Sequence, residues 1–198
     1  MDFYREGLMQ RSLILLVTIS LLFASIARAD EEAANAVYVQ SAEGGRFYAK
    51  CIPAEGRGSK GTTRVYSPRE KEDELVQIYD WYAPEIALAN TSKGIAIVRF
   101  GDWPRGHEAT KDELAIAFYL NGKLLHPYST LDIAGKPGNV SFSVSHYTVI
   151  KKHLGVRWIT ENTWVYDIQT TDDRMISFNV DTGEIVSTTT GPATQTVK

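Results

Sequence analysis

From Leu114 to Leu120 the chain alternates, with Leu114, Ile116, Phe118 and Leu120 set against Ala115, Ala117 and Tyr119, and the run meets Asn121-Gly122 without a break. A period of two puts alternate side chains on opposite faces of a strand, and Asn-Gly is the pair that accepts the positive φ angles of a two-residue hairpin turn. A helix would not meet that turn in register. Lys123 to Tyr128 is therefore predicted as the returning strand.

The same pattern recurs. Trp164, Tyr166 and Ile168 alternate with Val165, Asp167 and Gln169, and Ile176, Phe178 and Val180 alternate with Met175, Ser177 and Asn179. Asp181-Thr182-Gly183 supplies a short loop, so Met175 to Val186 is predicted as a hairpin. Short runs rich in Val, Ile, Tyr, Phe and Trp between Gly, Asn, Asp and Pro clusters mark an all-β domain. Leu114, Ile116, Phe118, Ile176 and Phe178 are expected to face one common core.

Two segments invite a helical reading. Ser67-Pro68-Arg69-Glu70 and Thr110-Lys111-Asp112-Glu113 match a capping box, and Leu75, Ile78, Tyr79 and Tyr82 have helical spacing. Both are read as leading into strands, because Asp73 to Tyr79 matches Asp112 to Phe118, 39 positions later, and the later copy alternates. Each copy runs from an aromatic, Tyr66 or Phe100, through a Pro-Arg pair and a polar stretch to Asp-Glu-Leu and a returning strand. The second connection, Gly101 to Glu113, is the longer one. It is expected to be ordered, since Gly101 and Gly106 let the backbone turn and Pro104 fixes a dihedral.

That loop carries four of the candidate ligand-binding residues, Asp102, Trp103, Arg105 and His107; the fifth, Trp81, belongs to the related pair Asp80-Trp81. An Asp at such a place caps a turn while the Trp lies over the end of a sheet, or the Trp stacks on a ligand.

A polar turn before an apolar strand recurs in Ser41-Ala42-Glu43-Gly44-Gly45-Arg46-Phe47-Tyr48, in Asn90-Thr91-Ser92-Lys93-Gly94-Ile95-Ala96-Ile97 and in Thr171-Asp172-Asp173-Arg174-Met175-Ile176-Ser177-Phe178. This resembles the corner of WD40-like and related propeller blades, over roughly residues 40–188 in three units of about fifty residues. The resemblance implies antiparallel hairpins in three blade-like sheet units, used as a binding platform; it does not imply an enzyme. A β-sandwich is the architectural alternative.

Leu13 to Ala27 is an apolar run of about fifteen residues, short of the roughly twenty of a transmembrane helix, and Ala27-Arg28-Ala29 is a small-x-small cleavage site. Residues 1–29 are therefore expected to be a signal peptide, with Met9 a plausible true start, and the product is expected to be secreted or periplasmic and free of the membrane after cleavage. Residues 30–39 are read as a lead, 40–188 as one domain and 189–198 as a flexible tail. The lone Cys51 allows no internal disulfide and reads as a small buried hydrophobe. A formal net charge of −3 without a basic cluster speaks against a nucleic-acid partner.

His107, His126, His146 and His153 show no metal-ligand spacing, and Ser145 beside His146 is discounted because strand neighbours point to opposite faces. No catalytic residue, metal or cofactor is assigned. The expectation is an exported, non-enzymatic binding module with a protein or glycan partner. The alternative is a hydrolase of glycan or cell-wall material using Asp102 and Glu108 as acid and base.

Overall fold

Hairpin turns between alternating runs give three successive four-stranded antiparallel meanders in the computed structural model, which describes residues 35–55, 60–160 and 163–190. The expected signal peptide, residues 30–34 of the lead and residues 191–198 of the tail lie outside the described residues, whereas Thr189 and Thr190, read as tail, are strand. The first sheet holds β1 (Tyr38–Ser41), β2 (Tyr48–Ile52), β3 (Thr62–Ser67) and β4 (Glu74–Tyr79). The second holds β5 (Ile86–Thr91), β6 (Gly94–Phe100), β7 (Leu114–Leu120) and β8 (Lys123–Ser129). A short helix α1 (Thr130–Ala134) and a small hairpin, β9 (Ser141–Phe142) with β10 (Tyr147–Thr148), precede the third sheet. That sheet holds β11 (Ile150–Thr160), β12 (Thr163–Thr170), β13 (Arg174–Asn179) and β14 (Ile185–Thr190). The strands thus begin before residue 40 and end after residue 188.

The turn at Asn121 and Gly122 has φ of 49° and 85°, as the Asn-Gly pair requires, and β13 and β14 form the predicted second hairpin. Both copies of the Asp-Glu-Leu repeat open strands, β4 and β7. They hold different places: β4 is the last strand of its sheet and β7 the third. The polar corners are similarly unequal, joining first to second strands in the first two sheets but second to third in the third. Any hairpin needs a polar turn before an apolar strand, so the echo records local turn chemistry and not position within a sheet.

The middle sheet is buried on both faces. Towards the third sheet, Val98, Phe100, Ile116 and Phe118 pack with Tyr166, Ile168, Ile176 and Phe178. Towards the first, Ile95, Ile97, Ala117 and Tyr119 pack with Cys51, Val65, Tyr79 and Trp81. Four of the five residues assigned to one core share it, with Phe118 and Phe178 rings 5.0 Å apart. Leu114 does not: it packs at the margin of the other core, because a register shift between Leu114 and Ile116 turns Ala115 and Ile116 both into the first. An extra residue at such a bulge breaks the strict alternation on which the expectation rested.

Helix α1 was not expected. Its start is a capping box in which Ser129 Oγ accepts from Asp132 N and Asp132 Oδ2 accepts from Ser129 N. At its other end Arg174 donates to the carbonyls of Ile133 and Ala134, satisfying groups that a helix leaves unpaired and tying the helix to β13. Cys51 is buried as expected, with Thr63 Oγ1 3.7 Å from its sulfur, and burial pushes its thiol pKa up.

Phe118→Ala is expected to cost about 3–5 kcal/mol, measured in denaturant melts, whereas Leu114→Ala, at a core margin, should cost less. A second expectation concerns His153, whose ring meets Phe100 edge-on at 4.2 Å while Nε2 lies 3.9 Å from Glu85. Burial holds its pKa below the ordinary 6.5, and Glu85 opposes this only in part. The unfolded chain therefore takes up the proton first as pH falls, so stability is lost from near pH 6.5 down to the lower folded value. In His153→Gln the pH dependence of the melt in that window should flatten.

Candidate functional site

The loop from Gly101 to Glu113 leaves β6 through a backbone that admits no side chain: a Cβ on Gly101 would lie 1.7 Å from the carbonyl oxygen of Leu114. Gly101 N donates to Ala115 O at 3.0 Å. The chain then runs beside the β9–β10 hairpin. Tyr147 N donates to Pro104 O and Gly106 N to Ser145 O, each at 3.0 Å, with Arg105 and His146 facing each other in an antiparallel bridge. Gly106 takes a φ of 106°, a turn that favours glycine. The return is fixed by Ala109 N on Pro137 O and by a two-way pairing of Thr110 with Thr130. The loop is ordered as expected, through its hydrogen bonds to the β9–β10 hairpin, Pro137 and Thr130.

Within this frame Pro104 is buried, while Asp102, Trp103, Arg105 and His107 are exposed. Trp103 is 64% exposed. His107 reaches the hairpin, with Nε2 3.3 Å from Val144 O and its ring 4.9 Å from that of Phe142. Phe142 and Val144 are themselves 62% and 88% exposed. Loop and hairpin therefore both present exposed apolar side chains and meet at the contact of His107 with Phe142.

The two Asp-Trp pairs do different things. Trp81 is buried between the first two sheets, 5.0 Å from Tyr79 and 5.2 Å from Tyr119, with the Arg99 guanidinium 4.7 Å over its ring. Its carbonyl accepts from the buried hydroxyl of Thr63 at 2.9 Å. Trp81 is thus a seal, buried where the four loop residues are exposed. Trp103 has no such sheet above it, and its loop was pulled outward onto the hairpin instead.

Asp102 and Glu108, the acid and base of the hydrolase alternative, are both exposed. Ser145 and His146 do meet, with Oγ 2.8 Å from Nδ1, contrary to the sequence argument. They lie at the β9–β10 turn, where the alternation of a strand does not apply. Among the described residues no group of three His, Cys, Asp or Glu side chains is placed to hold a metal ion.

A second concave feature was not singled out from the sequence. A cleft of about 210 Å³ at the opposite end of β5 is lined by Glu43, Leu88, Asn90, Val156, Trp158 and Trp164. Trp158 and Trp164 stand three positions either side of Glu161 and face each other across the β11–β12 pair. Two tryptophans six positions apart were the available signal. A shallower groove lies along Phe47, Pro68, Arg69 and Val76.

The structure separates the two tryptophans by their expected response to truncation. Trp81→Ala should lower stability by about 3–5 kcal/mol. Trp103→Ala should change the stability measured in denaturant melts by no more than about 0.5 kcal/mol, as an exposed side chain does. No known protein family, curated protein or solved structure matches this chain, so its function has to be read from this geometry.

Proposed function

We propose that this chain is an exported, non-enzymatic interaction module that grips a partner protein with the Gly101–Glu113 loop and the β9–β10 hairpin. The carrying observation is that Trp103 is held 64% exposed on a segment hydrogen-bonded along its length. A pinned loop loses little conformational freedom on binding, which is what makes an exposed aromatic effective as an anchor. Tryptophan and arginine are the side chains that dominate interface energies, and Trp103 and Arg105 are one residue apart in alternation.

Phe142 and Val144 are exposed on the hairpin that His107 touches, and apolar relief of that kind suits the side chains of a protein better than the flat ring of a sugar. The hydrolase alternative needs a carboxyl pair in an apolar pocket. Asp102 and Glu108 are exposed, and among the described residues each of the two clefts has one carboxylate, Glu43 or Glu74, which favours the module. Export is supported by the Leu13–Ala27 run and the Ala27-Arg28-Ala29 site in the sequence.

Capture from native extract, quantified for the wild type, Trp103→Ala and Arg105→Ala, tests this reading. Trp103→Ala is expected to weaken capture by roughly thirtyfold, the effect of an interface anchor worth about 2 kcal/mol, with the fold unchanged. Undiminished capture by both variants would sink the proposal, and capture competed by free oligosaccharide would make the partner a glycan.

A further inference from the structure

We propose a second binding site, independent of the loop surface: the cleft between Trp158 and Trp164 takes a quaternary ammonium group. It lies where first strands converge, since β5 contacts both β1 and β11. Leu88 and Asn90 come from β5, Val156 and Trp158 from β11, Trp164 from β12, and Glu43 from the β1–β2 turn. Three sheets therefore contribute to one small hollow.

Its chemistry selects a compact cation. The two indole rings are 4.8 Å apart between centroids and inclined at 72°, giving two walls of a corner. Indole faces attract cations through the ring quadrupole, and Trp is the strongest of the aromatic side chains in this respect. Trp158 is 67% exposed, so most of its surface is uncommitted to the core. Among the described residues of the lining, Glu43 supplies the formal charge and no Lys or Arg accompanies it.

The remaining lining decides between kinds of cation. Glu43 and Asn90 are the side-chain acceptors of the described lining and Leu88 and Val156 add none, so a primary ammonium gains nothing from the apolar walls. A quaternary ammonium has no donors to satisfy, and its methyl groups fit apolar walls. Asn90 then remains available to a hydroxyl or carbonyl on the same ligand. The volume, about 210 Å³, is below the roughly 300–1,000 Å³ of pockets for drug-sized ligands, which suits a headgroup and not an oligosaccharide.

Choline and Nε-trimethyllysine present the same group from two sources, a headgroup and a modified side chain. Calorimetric titration of the protein with each, beside the uncharged isostere 3,3-dimethylbutan-1-ol and methyl glucoside, tests the site. Millimolar binding of a cation is expected, about tenfold weaker for the isostere, with the tighter of the two cations naming the source. Trp158→Ala should abolish it, Glu43→Gln should weaken it several-fold at low salt with the difference shrinking at high salt, and Trp103→Ala should leave it intact. Because Trp158 is mostly exposed, its removal should not unfold the protein; far-ultraviolet circular dichroism checks this. The proposal is overturned if the isostere binds as tightly as choline, if methyl glucoside binds in place of the cations, if Trp158→Ala still binds, or if neither cation gives saturable heat.

Discussion

Burial of β6 and β7 on both faces is the constraint on which the rest of the structure depends. A sheet with one core needs apolar residues at every second position; a sheet between two cores needs them at nearly every position. The runs Ile95-Ala96-Ile97-Val98 and Ala115-Ile116-Ala117-Phe118-Tyr119 meet that need, and all nine residues are buried. The small residues divide the space: Ala96 faces the third sheet beside Val98, while Ala117 faces the first beside Tyr119. Neighbouring sheets can then approach on both sides without crowding.

The candidate binding surface is a consequence of that arrangement. The connection between the two central strands cannot fold back over either face, because both are occupied. It runs outward from the sheet end and takes its hydrogen bonds from the segment between the second and third sheets. Thr130 is the junction: its hydroxyl donates to Thr110 O, accepts from Thr110 N and lies 2.9 Å from the hydroxyl of Tyr147, joining loop, helix and hairpin. Two connections that would each be costly to order alone are ordered by pairing with each other. The Trp158–Trp164 cleft sits at the other end of the middle sheet, so the two surfaces have little in common beyond the stack that separates them.

Much of the fold could be read from local chemistry. Asn121-Gly122 and Asp181-Thr182-Gly183 named their hairpins, and the alternation of Ile176 with Phe178 named their face correctly. The reading failed where a local rule was outvoted by a neighbour. Leu114 changed core because of a bulge that leaves no mark in the sequence pattern, and α1 escaped notice because a single turn of helix has too little periodicity, although its Ser129-to-Asp132 box was present. The loop residues Asp102, Trp103, Arg105 and His107 were legible as a group, whereas Trp81 shares their Asp-Trp signature and none of their exposure.

By itself, then, the sequence determined the class of the fold, the positions of its turns and the residues able to sit in a core, because each of these follows from φ preferences and a period of two. Only the tertiary structure decided which core each residue joined, that Trp81 is covered while Trp103 is bare, and that Glu43, Asn90 and Trp158 line one cleft although they are scattered along the chain. Burial and convergence depend on which sheets stack against which, and that is set by the sum of contacts over distant segments, which no window of the sequence contains.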